Sequence, residues 1–266
     1  MMNYTKKVVV VTGGTKGIGL ETALVFASHG AKCYITYSLG SADLVDVNRR
    51  FAQAGPLPPT IVRCDARSEE ETLALFEQIK EDGNDSVTAW IPNVSQAQLI
   101  SSFSEYKKKP LFQSIEASAW PLVSGINAIK DVFGRYPKYA IGLSSVGAER
   151  YVHNYDFMAA SKNVMEILCK YVNYRLYDED IRVNVVRAGM VESESLELTF
   201  GKKFVEQAKT LGMADHFLDP HCIAKAIFGL CSGYMDGISG EIIRVDKGVS
   251  FFDTFMKMYT EEIKAM

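Results

Sequence analysis

The residues best suited to proton chemistry lie in one stretch, residues 143–162. Ser145 follows an apolar run that predicts a buried strand, Tyr155 stands at the start of a helical pattern, and Lys162 comes seven residues later. A phenol can donate a hydrogen bond to an oxygen that becomes negative, and a nearby ammonium that lowers the pKa of the phenol makes it a better donor. The stretch therefore predicts a site that handles protons during hydride chemistry.

The spacing between Tyr155 and Lys162 distinguishes between two kinds of hydride reduction. Helix geometry places residues four or seven apart on one face. Met158, four residues before Lys162, has no proton to give, and Tyr155 lies one turn further away. In carbonyl reduction the hydride goes to the carbon that bears the oxygen, whereas in enoyl thioester reduction it goes to the β-carbon and charge collects on an oxygen several bonds away. The displaced tyrosine favours reduction of a conjugated double bond.

A glycine-rich loop near the start of the chain predicts a dinucleotide site. It lies at residues 12–19, between an apolar β-branched run at 8–11 and a helical pattern at 20–28. Glycines let the backbone approach a pyrophosphate, and the N–H groups at the start of the helix favour its negative charge. The expected cofactor contacts in this loop are Gly13, Thr15, Lys16, Gly17, Ile18 and Gly19.

The end of the second predicted strand indicates which dinucleotide binds. Many dinucleotide folds carry an acid there that binds the adenosine ribose. This chain has Tyr37 and Ser38 instead, with no acid before Asp43. Since no carboxylate repels a 2′-phosphate and Lys16 offers a positive charge, the sequence predicts NADPH rather than NADH, with Ser38 as a further phosphate contact.

Other cofactor contacts are expected where later strands end, because the carboxyl edge of a parallel sheet lines the cofactor crevice. Asp65 and Ala66 follow the third strand, and Gly189 and Val191 lie in the exit loop of the sixth. Asn93 follows the fourth strand and is either a cofactor contact or a turn residue.

Strands and helices alternate along the chain, which predicts an α/β fold, a Rossmann-type doubly wound parallel sheet of seven strands in a single domain spanning residues 1–266. The predicted strands are 8–11, 31–37, 60–64, 87–91, 139–143, 181–186 and 241–245. A long helix at 111–133 is expected to kink at Pro121. Residues 192–217 lack firm strand signals and are expected to form a mobile segment that covers the substrate.

Composition excludes several classes of protein. The chain has 266 residues, 47% hydrophobic and 23% charged, and a net charge of −3 that gives no reason to expect nucleic acid. Its five cysteines form no CxxC pair, and no apolar run is long enough for a membrane span or a signal peptide. His153, His216 and His221 show no metal spacing, so no metal is expected. A soluble cytoplasmic protein is expected.

These motifs resemble the short-chain dehydrogenase/reductase superfamily over nearly the whole chain. The glycine motif of that superfamily, TG followed by three residues and GIG, stands at residues 12–19, and its closing strand resembles residues 242–246. Ser145 and Lys162 match its active-site serine and lysine, while Met158 holds the place of its usual tyrosine.

Within the superfamily, the chain is most similar to bacterial enoyl-acyl-carrier-protein reductases, which place the tyrosine seven residues before the lysine. Residues 147–150 and 237–241 are also similar to that subgroup, and the intact glycine motif resembles its NADPH-dependent branch. The resemblance implies that Tyr155 stabilises the enolate oxygen, Lys162 holds the cofactor ribose and Ser145 lines the pocket. It also implies a thioester substrate on acyl carrier protein or CoA, in fatty-acid or polyketide-like biosynthesis, and a homotetramer or homodimer packed through two long helices.

Two alternatives remain open at this point, because some positions depart from the family pattern. Residues 92–95 replace its asparagine-asparagine-alanine-glycine motif, and Ser114 stands where its active-site asparagine is expected. The protein could instead be a ketoreductase in which Tyr151 or Tyr155 reaches the carbonyl oxygen. It could also be a catalytically silent subunit that keeps the dinucleotide fold.

Overall fold

The computed structural model describes residues 3–40, 42–211, 213, 216–253 and 256, and it contains the expected parallel sheet. Its seven strands are β1 Val8–Val11, β2 Lys32–Tyr37, β3 Thr60–Arg63, β4 Ala89–Ile91, β5 Tyr139–Ser145, β6 Arg182–Ala188 and β9 Ile242–Val245, while β7 Met190–Val191 and β8 Phe217–Leu218 form a separate small sheet. The seven strands pair in the order β3-β2-β1-β4-β5-β6-β9, and every pairing is parallel. The predicted fold class, a Rossmann-type doubly wound sheet of seven strands, is confirmed.

Helices cover both faces of this sheet. They are α1 Gly17–Ser28, α2 Leu44–Ala54, α3 Glu69–Glu81, α4 Lys108–Ser118, α5 Pro121–Phe133, α6 Asp156–Arg175, α7 Glu194–Phe200, α8 Lys202–Thr210 and α9 Pro220–Leu230. The side chains of β1 alternate between two apolar clusters, because successive residues of a strand point to opposite faces. Val9 and Val11 pack with α1, α2 and α9, whereas Val8 and Val10 pack with α3, α5 and α6.

The predicted ends of these elements are corrected by a few residues. The fourth strand begins at Ala89 rather than at residue 87, and α1 begins at Gly17 rather than at residue 20. The fifth strand ends at Ser145, two residues beyond the predicted end at residue 143, so this serine is the last residue of β5. The serine is therefore fixed by sheet pairing, opposite Ala188 of β6.

The single long helix predicted at residues 111–133 is wrong in one respect, because the structure has two helices there. The first, α4, begins at Lys108 and ends at Ser118, and the second, α5, begins at Pro121. Proline has no N–H to donate and is favoured in the first turn of a helix, so it starts a new helix rather than kinking one. The indole N–H of Trp90 donates to the carbonyl of Pro121 at 3.0 Å and fixes the start of α5 above β4.

The segment at residues 192–217 is more regular than predicted. It carries α7 and α8, and its flanks form a separate two-stranded parallel sheet of β7 Met190–Val191 and β8 Phe217–Leu218. Residues 212, 214 and 215 of this segment lie outside the described residues. Leu196, Val205 and Phe217 form a small apolar cluster of their own, which explains how the segment holds a shape apart from the main core.

The strand order places a crevice between β1 and β4. The chain runs outward from β1 to β3 and then returns to β4 on the other side of β1, and ligands of doubly wound folds bind where the order reverses in this way. The glycine loop follows β1 and Asn93 follows β4, so both lie at this point. Among the described residues, no helix is long and apolar enough to cross a membrane.

Candidate active site

The glycine loop after β1 has the backbone that its sequence predicts. Gly13 and Gly17 have φ angles of +60° and +55°, a region that favours glycine. A Cβ on Gly19 would lie 2.3 Å from the carbonyl oxygen of Gly13, so the loop closes tightly against the start of α1. A Cβ on Gly17 would meet nothing within 4 Å, which leaves open space at the N-terminus of that helix. This is where a pyrophosphate fits.

A cleft of about 380 Å³ runs from this loop along the ends of β2, β3 and β4. Of the predicted cofactor contacts, those that line it are Gly13, Thr15, Lys16, Ser38 and Ala66. Thr36 also lines the cleft, and its buried hydroxyl has no hydrogen-bond partner within the protein. Buried polar groups normally have a hydrogen-bond partner, so the unpaired hydroxyl of Thr36 is consistent with a cleft that binds a polar ligand. The cleft and the loop together suit a dinucleotide.

The remaining predicted cofactor contacts lie around this cleft rather than in its wall. Gly17, Ile18 and Gly19 form the first turn of α1. Asp65 is held by Arg67, whose Nε donates to both carboxylate oxygens at 3.0 and 3.1 Å and holds the pKa of Asp65 below its usual value. Of the last two residues, Gly189 joins β6 to β7, and Val191 lies within β7, where it is buried.

Asn93 supports the glycine loop. Its side-chain amide donates to the carbonyl oxygens of Thr12 at 3.0 Å and Gly13 at 3.2 Å, and its backbone N–H donates to the Thr12 hydroxyl at 2.9 Å. These bonds use both amide hydrogens within the protein. Of the two interpretations left open by the sequence, the one in which Asn93 shapes the backbone agrees with these contacts.

Lys16, the predicted phosphate-binding cation, has a carboxylate partner in this structure. Its ammonium lies 2.8 Å from Glu194 Oε2 at the start of α7, and both side chains are more than half exposed. An ion pair this exposed is weak and can exchange readily for another anion. The contact also joins the glycine loop to the segment that the sequence assigns to substrate covering.

Ser145 and Tyr155 come together at the carboxyl end of β5. Tyr155 is the residue that precedes the first turn of α6, so it lies at the end of the helix rather than within it. Its ring packs against the backbone of Gly147, where a Cβ would lie 2.6 Å from the ring carbon Cδ1. The Ser145 hydroxyl hydrogen-bonds to the phenol, which lowers the pKa of Tyr155 and stabilises its anion.

The net pKa shift of Tyr155 is opposite to the one expected from the sequence. Burial raises its pKa above the usual value, and this effect outweighs the hydrogen bond from Ser145. The expectation that Lys162 lowers the pKa of the phenol is therefore wrong for this structure. The physical reason is burial of the phenol, and the ammonium of Lys162 makes its hydrogen bonds to Leu143 and Ser95 instead.

Lys162 is almost completely buried, with 3% of its surface exposed. Its ammonium donates to the carbonyl oxygen of Leu143 at 2.6 Å and to the hydroxyl of Ser95. Burial lowers the pKa of Lys162 to about 7, while the negative charge of Glu166 acts in the opposite direction. The site therefore contains an ammonium that changes its charge near neutral pH.

Several residues of the site were not identified from the sequence. Ser95 accepts the hydrogen bond from Lys162, and Glu166 receives one hydrogen bond from Ser144 at 2.6 Å and two from Arg187 at 2.9 and 2.6 Å. Glu166 follows Lys162 by four residues, so helix periodicity could have placed it on the same face. The other contacts join distant parts of the chain, and no local pattern indicates them.

Comparison with known proteins agrees with this geometry. Residues 13–250 match the profile of the enoyl-(acyl carrier protein) reductase family. An NADPH enoyl-acyl-carrier-protein reductase of Staphylococcus aureus is 26% identical over 93% of this chain and 98% of its own length. An NADH enoyl-acyl-carrier-protein reductase of Buchnera aphidicola is 26% identical over 71% of this chain and 74% of its own length.

Solved structures give the same fold. The Bacillus cereus enoyl-acyl carrier protein reductase, crystallised with NADP+ and an indole naphthyridinone, superposes with a TM-score of 0.80 at 24% identity. The match covers 95% of this chain and all of the other. Fold and cleft thus define a short-chain dehydrogenase/reductase, an NAD(P)H-dependent oxidoreductase. More narrowly, the chain belongs to the enoyl-acyl-carrier-protein reductase family.

Proposed function

We propose that this protein uses NADPH to reduce the conjugated C=C bond of an enoyl thioester carried by acyl carrier protein or CoA. The observation that carries the proposal is the position of Tyr155. The residue precedes α6 and contacts Ser145 and Gly147, while Met158 occupies the first turn of the helix. The phenol that precedes α6 is thus displaced by one turn from the position held by Met158, away from the place next to the carbon that would receive hydride in a carbonyl reduction.

The residues of the site have distinct roles in this reaction. A bound nicotinamide would supply a hydride to the β-carbon of the substrate, and uptake of a proton from solvent at the α-carbon would complete the reduction. Tyr155 donates a hydrogen bond to the thioester oxygen on which negative charge develops, and the raised pKa of its phenol keeps the proton in place until that charge appears. Ser145 fixes the phenol by its own hydrogen bond, and Lys162 binds the ribose hydroxyls of the cofactor and supplies positive charge beneath the site.

The preference for NADPH over NADH rests on the charges at the cleft. Lys16 and Ser38 line it, and no acidic residue stands between the end of β2 and Asp43 to repel a 2′-phosphate. The pairing of Lys16 with Glu194 is exposed and gives way to a doubly charged phosphate, which binds a cation more strongly than a carboxylate does.

We further propose a homodimer or homotetramer in the cytoplasm, in fatty-acid or polyketide-like biosynthesis. The two helices α4 and α6 pack side by side and expose large apolar and aromatic side chains. These are Phe112 on α4 and Ile167, Tyr171 and Tyr174 on α6, each more than half exposed. Exposed residues of this kind favour burial against a second copy.

The direct test is oxidation of NADPH with crotonyl and acetoacetyl thioesters, each offered on acyl carrier protein and on CoA. We expect turnover of the crotonyl thioesters and a loss of about a hundredfold or more in kcat for Tyr155→Phe, since general acid catalysis contributes roughly that much. Tyr151→Phe is the matched control, because Tyr151 is 83% exposed and its hydroxyl meets His153 at 3.2 Å.

Other outcomes reject the proposal in distinguishable ways. Turnover of the keto compound alone, lost in Tyr151→Phe or Tyr155→Phe, would identify a ketoreductase. Binding of NADPH without turnover of either thioester would identify a silent subunit.

A further inference from the structure

The ammonium of Lys162 is connected to the cofactor cleft through one side chain, that of Ser95. Lys162 is 3% exposed and donates to Leu143 O at 2.6 Å and to the Ser95 hydroxyl. Ser95 is exposed and lines the cleft, on the chain that follows β4. The Ser95 hydroxyl thus connects the buried Lys162 ammonium to the cleft.

The charged side chains around Lys162 make their hydrogen bonds to residues other than Lys162. Glu166, four residues along α6, binds Ser144 of β5 and Arg187 of β6. Arg187 in turn donates to Glu149, in the chain after β5, at 2.8 Å. Tyr155, at the start of α6, is hydrogen-bonded to Ser145. On the neighbouring helices α4 and α5 the buried polar side chains are Ser114, Ser118 and Ser124.

These helix serines do not provide a third acceptor for Lys162, beside Ser95 and the Leu143 carbonyl. Ser114, the counterpart of the family's active-site asparagine by resemblance, donates to the carbonyl oxygen of Pro110 in its own helix at 2.9 Å. Ser118 donates to the carbonyl oxygen of Gln96 at 3.1 Å, and Ser124 to that of Trp120 at 3.4 Å. Within the described residues, the acceptors of the ammonium are therefore Ser95 and the Leu143 carbonyl.

We propose that Ser95 is a positioning residue whose hydroxyl holds the Lys162 ammonium at the wall of the cofactor cleft and stabilises its charged form. A hydrogen bond from a charged donor is shorter and stronger than one between neutral groups, and it favours the charged state of the donor. Loss of the Ser95 hydroxyl leaves the buried ammonium with one acceptor, so neutral Lys162 becomes more favourable. The catalytic importance of this effect rests on the function proposed for Lys162.

The test measures the titration of Lys162 directly, in protein that carries ¹³C-labelled lysine. The Lys162→Met variant identifies the resonance by its loss. In Ser95→Ala we expect the titration midpoint to move about one pH unit lower, since a hydrogen bond to a charged group is worth about that much. Ser95→Thr keeps a hydroxyl and should restore the wild-type midpoint. Ser104→Ala is the matched control, because Ser104 is an exposed serine of the same connection whose hydroxyl meets Ser102 at 2.8 Å.

The proposal is overturned if folded Ser95→Ala titrates at the wild-type midpoint, or if Ser95→Thr behaves like Ser95→Ala. The titration needs no substrate, so it decides the role of Ser95 even if no enoyl thioester is reduced. Where turnover is found, the alkaline limit of kcat in Ser95→Ala should move by the same amount as the midpoint. An unmoved limit with a moved midpoint would reject the catalytic role of Lys162 and leave the contact with Ser95 in place.

Discussion

At the scale of single residues, the pair of Glu166 and Arg187 is the charged contact most deeply buried beside the site. Glu166 is 5% exposed, and its two oxygens receive hydrogen bonds from Nε and from a terminal nitrogen of Arg187. Neighbouring carboxylates, Glu166 first among them, raise the pKa of Arg187, so the guanidinium stays charged. This bidentate ion pair fixes α6 against β6 and holds the helical turn that carries Lys162.

Replacing Arg187 with leucine should destabilise the protein by roughly 3–5 kcal/mol, because it leaves a buried carboxylate without its cationic partner. Urea unfolding of the purified protein measures the change in the free energy of unfolding. Asp180→Asn is the control, since Asp180 pairs with Arg182 through a largely exposed side chain and its loss should have no measurable effect. Equal stabilities of the two variants would contradict the structural role of Arg187.

At the scale of elements, the glycine loop and α7 are joined by the ion pair of Lys16 and Glu194. If Lys16 binds the 2′-phosphate as proposed, Lys16→Met should raise the Kd of NADPH about tenfold and leave that of NADH almost unchanged. Glu194→Gln should do the reverse and tighten NADPH, because it removes the competing carboxylate. Fluorescence titration of the wild type and both variants with each reduced cofactor measures the six dissociation constants, and equal weakening of NADH and NADPH in Lys16→Met would contradict the assignment.

Local patterns predicted some elements well and others poorly, for identifiable reasons. The helical pattern of residues 44–54 predicts α2 with the ends that it has, because Asp43 caps the first turn by accepting from the N–H groups of Val45 and Asp46, and the turn at residues 55–59 cannot continue the helix. The prediction of one helix at 111–133 is wrong because Pro121 begins a new helix, and the packing of Trp90 over Gly125 and its bond to Pro121 hold that start in place.

At the scale of the whole molecule, buried Lys162 should make stability depend on pH. Its pKa is lowered to about 7 in the folded protein, against 10.5 for an ordinary lysine. Between these values the unfolded chain binds a proton that the folded protein does not, so the free energy of unfolding rises with pH. The contribution of a single site is about 1.4 kcal/mol per pH unit.

Comparison of the wild type with Lys162→Met isolates this contribution. Between pH 7 and 8.5 the difference between the wild-type free energy of unfolding and that of Lys162→Met should increase with pH, since the cysteines and tyrosines are common to both proteins and cancel. Lys170→Met, which removes an exposed lysine of the same helix, should run parallel to the wild type. A parallel course for Lys162→Met as well would show that Lys162 is charged in both states, contrary to its burial.

The sequence by itself determined the glycine loop, the alternation of strands and helices, and the seven-residue step from Tyr155 to Lys162. Each of these depends on neighbours within a few residues, where backbone geometry sets the outcome. Only the tertiary structure decided which side chains the two lysines of the site contact. Lys162 meets Ser95 across 67 residues and Lys16 meets Glu194 across 178, because the sheet brings the ends of its strands together at one edge. Burial at that edge cannot be read from a local pattern. It raises the pKa of Tyr155, where a lowered pKa is expected from the sequence, and it lowers the pKa of Lys162.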